Sequence, residues 1–592
     1  MTHTAGTHKQ WLEAALAKVR KPGRYLGNEW NAVKKNFSGQ GLRFAICFPN
    51  LYEIGMSNLG LRIIYGLLNE QEGVSCERVF LPDTDMREIL KQEKTSLFSL
   101  ESKTALSEFD FIGFALSYEL DYVNVLEILE LSGIPLLAKD RSSDFPLIIG
   151  GGSCVSNPEP LSDFIDLFLI GEAEEALLEI VERYKKLQGA LRGPRVSKEE
   201  MLRELAWVEG VYVPSLYEPE YGENNSLKSF SAKYADTPLT VNKRIVKDLN
   251  RAYYPTRWIV PYVSIVHDRA AVELMRGCPH RCNFCQARSL YYSLRMRSPE
   301  RALELARSIV QSSGYEEISL LSLSTSDYPF LSNIICSLSD TFQEEAIAIS
   351  LPSLRPKSYL GALADYLSRV RKTTFTFAPE AGSERLRKII NKNFSMDEFY
   401  AAILSAYKAG WQSVKLYFMI GLPQEEYVDL DGILEIVREV SRMRKDVSRS
   451  AAQVRASISF FVPKPHTAFE REAMDSEANL RAKIAYLRKK AGGLPRQIKL
   501  DFHDLESSLL EAAFSRGGRH LGKVLLSAHR KGCPDSQQPA HLRAMFWQEI
   551  FKGCSETQEA YLRKRGQDEI LPWQHIDLAD MSLTKDTVKS IV

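Results

Sequence analysis

Apolar runs of strand length alternate with segments of helical spacing through residues 1–190. Arg43–Pro49 (RFAICFP) is a short apolar run ending in turn chemistry, and Gly60–Asn69 follows with apolar positions at helical spacing. Phe109–Ser117 (FDFIGFALS) reads as a further buried strand, and Val123–Leu131 as the next helix. Pro146–Ile149 runs into Gly150, Gly151 and Gly152, and Phe164–Ile170 runs into Gly171 and the acidic helix start Glu172–Glu175. Buried strands separated by helices predict an α/β fold with a doubly wound, Rossmann-like parallel sheet. Ligands of such sheets sit at the carboxyl ends of the strands, where these glycine clusters lie.

Residues 191–258 are polar and mixed, with the stretches GPRVSKEE and YGENNSLKS, and read as a connector carrying some strands of its own. From 259 to 480 the alternation returns. Strands are expected at Ala270–Met275, Ile318–Leu323, Ile347–Leu351, Thr373–Phe377, Val414–Met419 and Ser457–Val462. A helix is expected to start at Ser298-Pro299-Glu300, with serine as N-cap and proline in the first turn. Six βα units are too few for a closed eight-fold barrel and fit a partial, open (β/α)6 barrel. Residues 481–592 read as a helix-rich C-terminal region, with helices over Leu480–Lys490, Ser507–Phe514 and Ala540–Phe551.

The chain has 592 residues, with 76 Lys plus Arg against 75 Asp plus Glu. Length suggests several domains, and the charge balance argues against a strongly basic nucleic-acid-binding surface, although a local patch can hide within it. The first residues lack the apolar core of a signal peptide, and no apolar run reaches the roughly 18 residues of a membrane span. The expected location is the cytoplasm, with no membrane partner. Nine cysteines in so long a chain do not suggest a disulfide scaffold. Cys47, Cys76, Cys154 and Cys336 read as small buried hydrophobes.

Three cysteines crowd into Cys278-Pro-His-Arg-Cys282-Asn-Phe-Cys285, a C-x3-C-x2-C spacing directly after the first strand of the partial barrel. Thiolates in one short loop can converge on one iron–sulfur cluster. Three of them satisfy three irons of a cubane and leave the fourth open, as catalytic metal sites require. The alternative is a zinc knot, which needs a fourth Cys or His; His280 lies inside the loop, awkwardly placed between two ligands.

This motif and its setting resemble the radical S-adenosylmethionine (SAM) superfamily over residues 265–470. The resemblance implies a [4Fe-4S] cluster on Cys278, Cys282 and Cys285, with SAM chelated at the open iron. Cluster reduction would cleave SAM to methionine and a 5′-deoxyadenosyl radical. It places Phe284 beside the adenine and Ser326 and Asp327, at the end of the second strand, near the SAM amino group. Many relatives carry Gly-Gly-Glu there, where this chain has Ser324-Thr325-Ser326-Asp327. It gives Glu380 the ribose hydroxyls and Gly421 a place in the adenine-contacting segment. His466 or Lys464, after the sixth strand, would face substrate or serve structure. A reductant such as flavodoxin or ferredoxin is implied.

The N-terminal segment resembles the cobalamin-binding domains that precede some radical SAM cores, through Gly150-Gly151-Gly152, Asn157-Pro158-Glu159 and Gly171-Glu172-Ala173-Glu174. The whole chain looks like an uncharacterised family joining the two domains. The histidine that often serves as lower axial ligand has no counterpart, since no His occurs between His8 and His267. Cobalamin is therefore an optional cofactor here. Three readings stay open: cobalamin-dependent radical methylation, cobalamin-independent hydrogen abstraction, and a non-enzymatic iron–sulfur sensor or interaction protein. The substrate, whether small molecule, RNA or protein, is unspecified. In the tail, Arg516 and Arg519 flank paired glycines, a pattern that suits either a phosphate site or a helix-ending turn.

Overall fold

The computed structural model describes residues 5–35, 41–189, 196–222, 226–352, 355, 375–534 and 538–578. Parts of the GPRVSKEE and YGENNSLKS stretches lie outside the described residues, as do Thr373 and Thr374 of the expected fourth strand.

The N-terminal sheet has six strands: β1 (Leu42–Phe48), β2 (Val74–Phe80), β3 (Phe111–Ala115), β4 (Leu147–Gly151), β5 (Leu167–Leu169) and β6 (Val211–Tyr212), in the order β2-β1-β3-β4-β5-β6. All neighbours run parallel except β5 and β6. The doubly wound expectation is met, because both faces of such a sheet are covered and its strands carry near-continuous apolar runs. The helix Leu59–Glu70 is one cover; Asn58 caps it by accepting from the Leu61 N–H at 2.9 Å.

Sequence periodicity does not disclose β2. Its sequence VSCERVF holds two charges, yet every residue is buried. Partners from outside the strand explain this: the Arg78 guanidinium donates to Glu29 and Glu101, and Glu77 accepts from the hydroxyls of Ser99 and Ser102. Strand β6 lies in the stretch read from sequence as connector.

The second half holds two parallel sheets. Ala270–Glu273, Glu317–Leu321 and Ala348–Ser350 form one; Phe375–Glu380, Ser413–Ile420, Gln453–Phe460 and Ile498–Phe502 form the other. The six expected strands occur in chain order. Ile498–Phe502 is a seventh, in a stretch read as helical; only Ile498 is buried on this edge strand, which leaves little apolar signal. Ser298 caps the helix Pro299–Ser313, which ends at Gly314 in the left-handed region (φ +71°).

The expected C-terminal helices occur as Glu477–Ala491, Leu505–Arg516 and Ala540–Gly553, and Leu521–Arg530 is a further helix that the sequence reading did not include. They do not stand apart. Phe514, Leu521, Leu525 and Ile550 share one continuous apolar core with the N-terminal sheet. Among the described residues no helix is long and apolar enough to cross a membrane.

Candidate functional site

The expected first strand is interrupted after Glu273. Met275–Arg276 pairs antiparallel with Arg295–Met296, so residues 277–294 form a loop closed at its base. Gly277 sits at φ +97°, and a Cβ there would lie 2.7 Å from the carbonyl oxygens of Tyr291 and Ser293. Only glycine lets the loop close on itself this tightly. Asn283 anchors it elsewhere, donating from its backbone N–H to Ile390 O and from Nδ2 to Ile389 O, both at 2.9 Å.

This loop brings Cys278, Cys282 and Cys285 to the wall of one cavity of about 290 Å³. Burial pushes the thiols of Cys278 and Cys285 up, and the neighbouring cysteines add to the rise. Three cysteines facing one cavity offer, once deprotonated, the donor chemistry of a metal centre, whose cation neutralises the thiolates. His280 lines the same cavity, and its Nε2 lies 2.7 Å from Asp327 Oδ2.

Phe284 lines the same cavity and packs against the small apolar cluster that contains Met419, Leu422 and Phe461. Glu380 also lines it, in the left-handed region at φ +68°. Burial raises the Glu380 carboxyl, while Lys392 (Nζ to Oε1, 3.2 Å) and Arg355 pull it back. Ser326 and Asp327 stand one step behind the wall, which Leu323 and Ser324 provide. Ser326 Oγ accepts from the Arg355 N–H at 2.8 Å, and Asp327 accepts from Ser324 Oγ at 2.5 Å. Gly421 (φ +80°) is not on the cavity wall. It faces the helix Glu477–Ala491, where a Cβ would lie 2.8 Å from Leu480. Lys392 and Arg355 are cavity residues that no motif announced; nothing in their spacing from Glu380 marks them.

The glycines at the carboxyl end of β4 serve packing in two of three cases. A Cβ on Gly150 would strike the Phe168 ring at 2.6 Å, and one on Gly152 (φ +111°) would strike Leu116 O at 2.5 Å; Gly151 faces open space. Just beyond, Ser156 contacts the second half of the chain directly. Its Oγ accepts from Gln286 Nε2 at 3.1 Å, and its carbonyl is 2.9 Å from His466 Nε2. Asn157 donates to Ser515 O and Gly517 O, each at 2.9 Å. Glu159 binds Arg519, and Glu172 and Glu174 bind Arg276. Lys464 pairs with Glu119 and Glu511. Arg516 donates to four backbone carbonyls. With Arg519 on Glu159, the phosphate option for this pair is overturned: both guanidiniums are used within the fold.

A separate cavity of about 340 Å³ lies at the carboxyl ends of β1 and β3, between Asn50, Tyr118 and Asp121 on one side and Phe514 and Trp547 on the other. This is the point where the strand order reverses, the usual ligand position of a doubly wound sheet.

Comparison with known proteins gives concordant matches. Residues 60–214 match the family described as radical SAM proteins, N-terminal, and residues 272–437 match the radical SAM superfamily. An uncharacterized protein, MJ0966, of Methanocaldococcus jannaschii is 29% identical over 488 residues, covering 81% of this chain and 90% of that protein. A tRNA-2-methylthio-N(6)-dimethylallyladenosine synthase of Desulforamulus reducens is 23% identical over 182 residues, 29% of this chain and 39% of that one. Among solved structures, the radical SAM methyltransferase TsrM of Kitasatospora setae, with cobalamin and a [4Fe-4S] cluster bound, aligns at TM-score 0.46 and 12% identity, over 73% of this chain and 77% of that one. The cobalamin-dependent radical enzyme OxsB aligns at TM-score 0.46 and 13% identity, over 87% and 72%. With both halves matched by radical SAM families and the three cysteines gathered in one cavity, the chain belongs to the radical SAM superfamily.

Proposed function

We propose that this chain is an enzyme that cleaves SAM reductively at a [4Fe-4S] cluster held by Cys278, Cys282 and Cys285, and starts radical chemistry on a substrate. The observation that carries the reading is the convergence of the three cysteines, Phe284 and Glu380 on one cavity. When bound, the cluster supplies an electron and an open iron for SAM, whose cleavage yields a 5′-deoxyadenosyl radical that abstracts hydrogen. The chain's own residues bind and orient. Phe284 offers an apolar face to the adenine. Glu380, poised by Lys392, accepts the ribose hydroxyls. The two parallel sheets act as arcs of one open barrel that shields the cavity from water. A flavodoxin- or ferredoxin-type protein supplies the electron.

We favour the cobalamin-independent form of this reaction. A corrin is a broad macrocycle with a nucleotide tail and needs an open crevice between the sheet end and the cluster loop. The residues present do not fit it. Gln286 and His466 bond directly to Ser156 across that junction, and Asn157, Glu159, Glu172 and Glu174 are all committed to partners in the chain. The 340 Å³ cavity at β1 and β3 is at the small end of ligand sites, which run from about 300 to 1,000 Å³.

The test is anaerobic reconstitution followed by dithionite-driven turnover. The parent chain is expected to form 5′-deoxyadenosine and methionine from SAM; Cys278→Ala is expected to form neither, and Cys154→Ser to retain the activity. An intact cluster with no deoxyadenosine above the Cys278→Ala level overturns the reading.

A further inference from the structure

The cluster loop leaves the second half of the chain and returns to it at Arg276 and Arg295, which face each other across the closing strand pair. Both guanidiniums converge on a carboxylate of the N-terminal half. Glu172 accepts from Arg295 Nη1 and Nη2, each at 2.7 Å, and lies 3.1 Å from Arg276 Nη1. Glu174 takes Arg276 Nη2 at 2.8 Å. Glu172 also accepts the Val246 N–H at 2.7 Å, and Val246 returns its carbonyl to Arg295 at 2.5 Å. Burial alone would raise the Glu172 carboxyl, but Arg295 and Arg276 outweigh it and hold it down.

The far side of the loop is held from the same place. Gly171 bridges to Arg244, so closely that a Cβ would lie 2.2 Å from Arg244 O. That bridge sets the neighbouring Lys243, which is buried and donates to the carbonyls of Leu290 (3.1 Å) and Tyr292 (2.5 Å). Leu290 ends the short helix that begins right after Cys285, and Tyr292 lies just past it. Base and far side of the loop are thus tied to one turn, Gly171–Glu174, which lies outside the second half of the chain altogether.

We propose that Glu172 is a positioning residue for the cluster loop: the turn resembling part of a cobalamin site works in this chain as a clamp that fixes the three cysteines for SAM. The proposal rests on the assignment of Cys278, Cys282 and Cys285 as cluster ligands. The mechanism is preorganisation. Two arginines flank the loop: the Arg295 fork on the buried Glu172 carboxylate fixes both position and orientation, and Arg276, whose own fork is on Glu273, adds a single contact to Glu172 through Nη1. Residues that orient the ligands of a metal site influence its affinity and activity about 10- to 100-fold without touching the metal.

The test uses the full chain and two readouts. The first is hydrogen–deuterium exchange before any iron is added. In Glu172→Ala, exchange in residues 277–294 is expected to rise about tenfold or more, since buried charged hydrogen bonds are lost, while strand Leu42–Phe48 stays protected. Arg295→Ala should do the same, and the double variant should be no worse than the weaker single, because the two act through each other. The second readout is the SAM dependence of deoxyadenosine formation after reconstitution, where KM is expected to rise about tenfold with a smaller change in kcat. Should Leu42–Phe48 also lose protection in Glu172→Ala, Glu172→Gln, which keeps the side-chain volume, carries both readouts. Unchanged exchange in 277–294 overturns the clamp. Faster exchange in Glu172→Ala, together with a parent chain that never takes up a cluster, would instead leave the clamp standing and overturn the ligand assignment.

Discussion

Arg519→Met removes an ion pair that joins the C-terminal helices to the N-terminal sheet, together with two longer hydrogen bonds from Nη1 to Pro214 O and Tyr217 O. Arg519 Nε and Nη2 donate to the two oxygens of Glu159 at 3.0 and 3.1 Å, and Nη2 lies 3.0 Å from Tyr212 Oη. Tyr212 Oη donates to the same carboxylate at 2.5 Å. The Glu159 side chain is 1% exposed. Burial would raise its carboxyl; Arg519 outweighs burial and keeps it ionised. His575 lies tilted against the Tyr212 ring but brings no charge near neutral pH, because burial lowers it to about 4. Removing Arg519 therefore strands a buried carboxylate, and breaking a buried pair from one side costs about 3–5 kcal/mol. The sign with pH follows. In the parent, a depressed Glu159 contributes stability above its unfolded value, lost as pH falls through the folded one. In the variant the folded carboxyl rises instead, so the variant regains stability as pH falls and the gap to the parent narrows. Replacing both partners, Glu159→Gln with Arg519→Met, leaves neutral groups and is expected to recover most of the loss. Pulse proteolysis in urea measures all three chains. A single variant costing less than about 1 kcal/mol, or a double variant no better than the single, refutes the argument.

Two further outcomes follow from local geometry. Burial raises the Asp121 carboxyl to about 7, against lowering hydrogen bonds from Asn50 and Asn124, with Glu119 adding to the rise. The folded state then keeps a proton that the unfolded state releases, so stability falls as pH rises from about 4 to about 7, at up to about 1.4 kcal/mol per unit. Asp121→Asn is expected to raise the melting temperature at about pH 8 and to leave it unchanged at about pH 4; parallel curves for the two chains contradict this. Gly277→Ala must displace the loop's own backbone, at about 1–3 kcal/mol, and is expected to lower iron uptake on reconstitution. Gly314→Ala is the control, with similar φ but nothing within 4 Å of the added Cβ; equal iron in both variants contradicts the loop-closure argument.

The parts of the fold legible in the sequence are those whose chemistry is local. β1 is a run of apolar residues and lies within one residue of the expected bounds. The cluster motif follows a strand, as its spacing implied, and Ser298-Pro299 starts a helix where capping chemistry says it should. What escaped depends on partners distant in sequence. β2 hides behind Glu77 and Arg78, whose burial is intelligible only once Ser99 and Ser102 are seen beside Glu77, and Glu29 and Glu101 beside Arg78. Lys392 and Arg355 reach the cavity from loops without a motif. The glutamates of Gly171–Glu174 read as an acidic helix start, whereas their partners are arginines more than 100 residues away. The Arg516 and Arg519 pattern offered a phosphate site, and only the positions of Glu159 and the surrounding carbonyls decide against it.

The most direct test of the central claim is the electron paramagnetic resonance spectrum of the reconstituted, dithionite-reduced chain, recorded with and without SAM. Three cysteine ligands and one open iron predict a reduced [4Fe-4S] signal whose g values shift when SAM is added, and which Cys278→Ala lacks. A signal indifferent to SAM, or a chain that binds zinc at these cysteines and shows no signal, would contradict the account.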